Sequence, residues 1–242
     1  MVVQAMADSI SQLQAQFAPL FVVSVGGLVF NLDEGRGYGP VQTFQVSNGG
    51  VFGSLLDASS TSDAPYVRVR PTSIGNLAAG ESGVFDVAVD SSTLLASNSP
   101  YAQVVLLQDP TATNNPVSVP ITINIRPKAT ITVSTASITF FVSKPLTGPF
   151  PPVPSQSFIL TNTGAPTSLL EYEVRRLTNT SGAWLSGVTP FQGSLAGAAS
   201  QSVVVQVTPN ANCLPGTYSE ILRVSGYSTN EYIDVQISLV IT

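Results

Sequence analysis

Two hydrophobic rhythms run along this chain. At the start, Val3, Met6, Ile10, Leu13 and Phe17 recur every three or four positions, which is one stripe of an α-helix. Gln4, Asp8, Gln12 and Gln14 fall away from the stripe, and Pro19 follows it; proline cannot donate to a helical ladder. The spacing predicts a short N-terminal helix within residues 1–20. A helix this short is marginal alone in water, so its stripe needs a receiving surface. We expect an assembly or anchoring segment, with packing on the chain's own first domain as the alternative.

After Leu20 the period changes to two. Gln42-Thr43-Phe44-Gln45-Val46, Val84-Phe85-Asp86-Val87-Ala88-Val89, Ser202-Val203-Val204-Val205-Gln206-Val207 and Asp234-Val235-Gln236-Ile237-Ser238-Leu239 alternate or nearly alternate. Gly, Pro, Asn and Ser separate such runs every 8–12 residues or so, a rhythm that predicts antiparallel sandwiches or barrels.

The pattern also repeats. Gly26-Gly27-Leu28-Val29-Phe30 aligns with Ala136-Ser137-Ile138-Thr139-Phe140. The segment from Pro40 to Gly50 aligns with that from Pro154 to Gly164, which matches Phe44 with Phe158 and Asn48 with Asn162. Gly75-Asn76-Leu77-Ala78 matches Gly193-Ser194-Leu195-Ala196, Tyr101 matches Tyr218, and Ile121-Thr122-Ile123 matches Ile237-Ser238-Leu239. Order and spacing are kept throughout, which marks two copies of one unit. The expected division is residues 1–20, 21–126 and 127–242. The junction Arg126-Pro127-Lys128-Ala129 is short and contains proline, so a restricted angle between the copies is expected. Asn48-Gly49-Gly50 and Asn162-Thr163-Gly164 are read as strand ends that exploit positive φ.

Composition narrows the role. Charged residues are 10% of the chain against 43% hydrophobic, while a typical soluble protein has roughly 25% charged. Ser, Thr, Asn and Gln must therefore wet much of the surface. A net charge of −5 with 9 basic residues gives no footprint for a phosphate backbone, so no nucleic-acid partner is expected. No apolar run reaches the roughly 18 residues of a spanning helix, so no membrane insertion is expected. The first residues lack a basic region before an unbroken apolar stretch and are not read as a secretory leader.

The chemistry is sparse. There is no histidine, which removes histidine-based triads and metal sites; no enzyme activity, cofactor or metal is expected. Cys213 is the only cysteine and is read as a small buried apolar residue. Glu171 and Glu173 share a strand face and are read as solvated. Asp33-Glu34-Gly35-Arg36-Gly37-Tyr38-Gly39 is a glycine-rich loop with no helix after it to hold a phosphate, and it lacks the ligand spacing of a calcium loop. Asn179-Thr180-Ser181 fits a glycosylation sequon, relevant only in a secretory cell. Exposed aromatics are the candidate glycan contacts: Tyr38, Phe150 and Tyr227 lie in Gly-, Pro- or Ser-rich loops. Trp184, the only Trp, is expected in the core.

The second copy also carries a family resemblance. Ile138-Thr139-Phe140, Phe158-Ile159-Leu160-Thr161-Asn162-Thr163-Gly164, Trp184-Leu185-Ser186, Gly193-Ser194-Leu195 and Leu214-Pro215-Gly216-Thr217-Tyr218 occur in the order that resembles the BACON-type Ig-like β-sandwich domain. The first copy resembles it more weakly, with Tyr66-Val67 in place of Trp-Leu and Ser99-Pro100-Tyr101 in place of Pro-Gly-Thr-Tyr. The resemblance implies an all-β chain: two tandem Ig-like antiparallel β-sandwiches behind the short N-terminal α-helix. It also implies carbohydrate association, or a spacer and display role on surface proteins and virions. The expected function is a non-enzymatic structural or adhesive component of an extracellular assembly. Its first form is a phage virion protein (capsid decoration, fibre, neck or tail); the alternative is a carbohydrate-binding pair on a bacterial surface or secreted protein. Expected partners are other virion or surface-assembly proteins, further copies of the chain in a homo-oligomer, and a glycan.

Overall fold

The structure is a computed structural model that describes residues 18–177 and 184–242. The expected helical stripe of Val3, Met6, Ile10, Leu13 and Phe17 lies outside the described residues. Among those described, helix is limited to one 3-10 turn, Ala96–Asn98. Everything else regular is strand.

The chain divides into two compact units, Met1–Arg126 and Pro127–Thr242. The first unit holds β1 (Phe21–Val23), β2 (Leu28–Asp33), β3 (Gln42–Asn48), β4 (Leu55–Ser62), β5 (Val67–Arg70), β6 (Ser73–Ala78), β7 (Ser82–Val89), β8 (Tyr101–Gln108) and β9 (Val117–Arg126). They form a four-stranded sheet, β1-β3-β7-β5, and a five-stranded sheet, β2-β9-β8-β4-β6. The second unit holds β10 (Ile131–Val133), β11 (Ser137–Val142), β12 (Gln156–Asn162), β13 (Leu169–Arg176), β14 (Leu185–Thr189), β15 (Gln192–Ala196), β16 (Ser200–Val207), β17 (Gly216–Gly226) and β18 (Tyr232–Ile241). Its sheets are β10-β12-β16-β14 and β11-β18-β17-β13-β15. Each strand of the first unit has its counterpart nine strands on, in the same place. Both units are Ig-like two-sheet sandwiches.

Alternation builds each core. Phe44, Val46 and Asn48 of β3 face inward, as do Phe85, Val87 and Val89 of β7. Phe44 pairs with Phe85 across the ladder, with ring centroids 5.4 Å apart. In the second unit Phe158 pairs with Val203, and both are fully buried. Each such side chain contributes about 1.5–3 kcal/mol by leaving water.

The ladders are not wholly antiparallel. β2 runs parallel to β9, with Leu28 opposite Ile121, and β11 runs parallel to β18, with Ile138 opposite Ile237. The cause is a change of sheet near the start of each unit. β1 and β10 join the smaller sheet, antiparallel to β3 and β12. The chain then crosses over and lays the next strand beside the last one, in the same direction.

The expected positive-φ strand ends are also corrected. Among the described non-glycine residues, positive φ belongs to Asn76, Ala198 and Glu231. Asn48 and Asn162 are instead buried plugs. Asn48 Nδ2 donates to the Leu77 carbonyl at 2.9 Å and to Ser54 Oγ at 3.1 Å. Its Oδ1 accepts from the backbone N–H of Gly50 at 2.9 Å and of Leu20 at 3.2 Å. Asn162 repeats the set: Leu195 carbonyl at 3.1 Å, Ser168 Oγ at 3.1 Å, Gly164 N–H at 3.0 Å, Thr130 N–H at 3.2 Å. The glycines are needed for close approach: a Cβ on Gly50 would sit 2.7 Å from the Ala18 carbonyl oxygen and 2.9 Å from Asn48 Oδ1.

Two more anchors repeat. Asn114 accepts from Phe21 N–H and donates to the Phe21 carbonyl, both at 2.9 Å; Asn230 does the same to Ile131 at 3.1 and 2.9 Å. The Tyr101 hydroxyl accepts from Leu95 N–H at 2.9 Å and donates to the Leu95 carbonyl at 3.0 Å. Tyr218 does so with Leu214, at 2.8 and 2.9 Å. These side chains satisfy backbone groups that no strand partner reaches.

Candidate functional site

The loop after the second strand is where the two units differ most. In the first sandwich it joins β2 to β3 and is tied down by polar groups. Asp33 forms ion pairs with Arg36 at 2.8 Å and Arg126 at 2.9 Å. Ser91 Oγ donates to the carbonyls of Asp33 at 2.8 Å and Gly37 at 3.0 Å. Gly35 and Gly37 take φ of 75° and 92°, a region where a side chain would strain the backbone. The two guanidinium groups occupy the Asp33 carboxylate, so this loop is a charge clasp.

In the second sandwich the equivalent loop joins β11 to β12 and is built from apolar residues and proline. Lys144 Nζ donates to the Cys213 carbonyl at 2.8 Å, fastening this loop to the one between β16 and β17. Together they enclose a shallow cavity of about 370 Å³ lined by Phe150, Pro151, Pro152, Val153, Val207, Thr208 and Pro209. On the same loops Leu146 is fully exposed and Leu214 64% exposed, and Phe141, in the strand before the first loop, is 73% exposed. The outward register pair before the loop sharpens the contrast. Phe141 stands opposite Val240, whereas the counterpart in the first sandwich is Asn31 opposite Asn124, hydrogen-bonded at 3.0 Å.

The three candidate glycan contacts do not form one platform. Tyr38 and Phe150 occupy the equivalent loops of the two units. Tyr38 is 54% exposed, and the Arg68 guanidinium lies 5.2 Å from its ring centroid. Phe150 is half-buried against its own core. Tyr227 is half-buried in the turn between β17 and β18, with the Lys128 ammonium 5.3 Å from its ring. That turn precedes Tyr232 at the start of β18, while the Phe150 loop leaves Val142, which pairs with Ile241 at the end of β18. Phe150 and Tyr227 are therefore at opposite ends of the second sandwich.

Other candidates resolve simply. Glu171 is exposed and Glu173 pairs with Arg175 at 2.6 Å. Cys213 is buried, its Sγ 3.7 Å from Asn210 Oδ1. Trp184 is fully buried. The described residues contain no group of three or more potential metal ligands, and none of their helices is long and apolar enough to cross a membrane. Sequence reasoning missed Phe52, which is 94% exposed in the turn between β3 and β4. Its signal was a Val-Phe pair flanked by glycines, Gly49-Gly50-Val51-Phe52-Gly53.

No family model matches the chain, and no curated protein does. Among solved structures it is similar to a protein of unknown function from Porphyromonas gingivalis W83, at 10% identity over 91% of this chain and 99% of that one, TM-score 0.34. It is similar to the human Desmocollin-1 ectodomain at 9% identity over 93% of this chain and 42% of that one, TM-score 0.43. The D0-D1 domain of Intimin gives 12% identity over 92% and 97%, TM-score 0.30. At these values the likenesses carry no argument about function, and the fold rests on the chain's own strand order.

Proposed function

We propose that the chain is a non-enzymatic structural and adhesive component of an extracellular assembly, in its finer form a virion protein such as a capsid decoration, fibre, neck or tail component. One observation carries the reading: the second sandwich exposes Phe141 and Leu146 where the first has the hydrogen-bonded Asn31–Asn124 pair and the charge-clasped loop, and it exposes Leu214 more than the first exposes its counterpart Leu95. Both units share one strand order, so the fold does not require those apolar groups. Exposed large apolar side chains that the fold does not need are candidates for a contact site. Prolines stiffen its loop, which lowers the ordering cost of binding. The absence of histidine supports the non-enzymatic reading. The order of Trp184-Leu185-Ser186 and Pro215-Gly216-Thr217-Tyr218 supports a BACON-type assignment for the second unit.

Residues 1–20 serve in this reading as the assembly segment, and the partners are further copies of the chain and other virion or surface-assembly proteins. Sedimentation of the full chain, of a chain lacking residues 1–18, and of a Leu146→Ser/Leu214→Ser variant tests it. Oligomers or particle attachment in the full chain, reduced in both variants without unfolding, are the expected result. A monomer that fails to attach to any candidate particle in all three forms would sink it.

A second reading, a carbohydrate-binding pair, is favoured by the exposed Tyr38 ring on its clasped loop. Glycan-array binding lost on Tyr38→Ala, with unchanged melting, would support it over the first.

A further inference from the structure

We propose that Glu220 is a pH-keyed latch on Trp184: protonated, it lets the second sandwich close around the indole, and ionised, it loosens that corner.

The internal repeat supplies the geometry. In the first sandwich Tyr66 precedes β5, and its carbonyl accepts from Asp90 N–H at 2.9 Å. Gln103, two residues after the anchoring Tyr101, pairs with Ile121, and its Nε2 donates to the Tyr66 hydroxyl at 2.7 Å. In the second sandwich Trp184 precedes β14, and its carbonyl accepts from Thr208 N–H at 2.6 Å. Glu220, two residues after the anchoring Tyr218, pairs with Ile237. Trp184 thus stands where Tyr66 stands, and Glu220 where Gln103 stands. The neutral pair is hydrogen-bonded. In its counterpart, the indole Nε1 and both Glu220 carboxylate oxygens are buried with no hydrogen-bond partner among the described residues.

Burial makes the difference matter. Tyr66 and Gln103 are half-buried, whereas Trp184 and Glu220 are closed off from solvent. Glu220 lies in the inward phase of β17, with Leu222 and Val224. The charge nearest it is Arg176 of β13, 3.7 Å away and one-third exposed. Across the ladder β18 places Ile237 opposite it, and Trp184 and Leu185, at the start of β14 in the other sheet, are buried in the same core. On its own strand, the Tyr218 hydroxyl is held by Leu214, and Arg223 is turned to Asp234. The intervening Thr178-Asn179-Thr180-Ser181-Gly182-Ala183 contains no ionisable side chain. A buried carboxylate with one long ion pair and no hydrogen bond to either oxygen is costly, and the neutral acid much less so. Burial accordingly pushes the Glu220 carboxyl above its ordinary value, with Arg176 opposing. Because the folded value is raised, the latch contributes fully below the unfolded value and is lost as pH rises through the folded one.

The test uses the full chain and the emission of Trp184, its single tryptophan. Thermal unfolding is followed from about pH 4 to 8, a range that spans an ordinary glutamate and a raised one. Relative to Glu220→Gln, the wild-type midpoint should fall with rising pH, and the two should converge in acid. Gln103→Glu, at the half-buried and hydrogen-bonded counterpart, should give the first sandwich a much weaker pH slope, read as the calorimetric transition without a Trp signal. A constant offset between wild type and Glu220→Gln, or a wild type more stable than Glu220→Gln at neutral pH, overturns the latch. If Glu220→Gln does not fold, Glu220→Met takes its place in the same comparison, and a pH-independent offset from wild type overturns the latch.

Discussion

In the first sandwich the loop after the second strand is held by charge, with Asp33 between Arg36 and Arg126. In the second, the equivalent loop is stiffened by proline and fastened by Lys144 to the Cys213 carbonyl. Both solutions support the same strand order. What does not vary is the set of backbone anchors: Asn48 and Asn162, Asn114 and Asn230, Tyr101 and Tyr218. The comparison separates what the fold demands from what it tolerates. The anchors satisfy backbone groups that no strand partner reaches, while the loop chemistry is free to vary.

The largest effect should come from emptying the fully buried aromatic site of the second sandwich. Trp184→Ala should cost the second sandwich about 3–5 kcal/mol, the usual cost of removing a buried aromatic, while Tyr66→Phe in the first should cost about 1 kcal/mol for one hydrogen bond. Denaturant unfolding resolved into two transitions would show it; equal losses would remove the distinction between the two corners. Asn48→Ala and Asn162→Ala should each cost about 2–3 kcal/mol, because each leaves buried backbone groups unpaired. These two losses should match, and a large inequality would break the claim that the anchors are common property. Tyr101→Phe and Tyr218→Phe should follow at about 1 kcal/mol each.

The smallest stability change belongs to the apolar end. Phe141→Asn, which copies Asn31, should stay within about 0.5 kcal/mol of the parent yet weaken association. If it lowers stability and leaves association intact, Phe141 belongs to the fold.

Acid should also divide the units. Asp109, at the start of the turn between β8 and β9, is buried. That burial raises its carboxyl, but hydrogen bonds from Thr111 and the Asp57 N–H outweigh it and hold the group below its ordinary value. Its contribution to the first sandwich is therefore present above the unfolded value and lost as pH falls through the folded one. Asp234 is lowered by Arg223 and acts the same way in the second sandwich, against the direction of Glu220. Asp109→Asn should flatten the acid limb of the first transition and leave the second unmoved.

Much of this architecture was legible. The period of two located the strands through Phe44, Val87, Phe158, Val205 and Ile237, because a sheet face buried on one side leaves alternation in the sequence. The repeat was legible because paired cores keep the same phase. The anchors were not, because an asparagine near a turn reads as turn chemistry whether or not its side chain reaches back into the sandwich. Asn114 and Asn230 went unseen for that reason. Glu220 left a visible trace, a carboxylate in the apolar phase between Tyr218 and Leu222. Of the candidate contacts, Tyr38 stands exposed, while Phe150 and Tyr227 are half-buried, since loop composition does not reveal which way a ring folds.

The parallel pairing of the second and last strands of each unit, β2 with β9 and β11 with β18, has a mechanical consequence. Tension drawn through a unit from its entry to its exit pulls β11 back from Ser137 and β18 forward from Ile241. Because the two strands point the same way and are in register from Ser137–Gln236 to Val142–Ile241, the load falls along the ladder as shear. The interstrand bonds then share the force and must fail together, where a hairpin pulled open at its ends would unzip one bond at a time. Each sandwich is thereby built as a link that resists stretching along the chain.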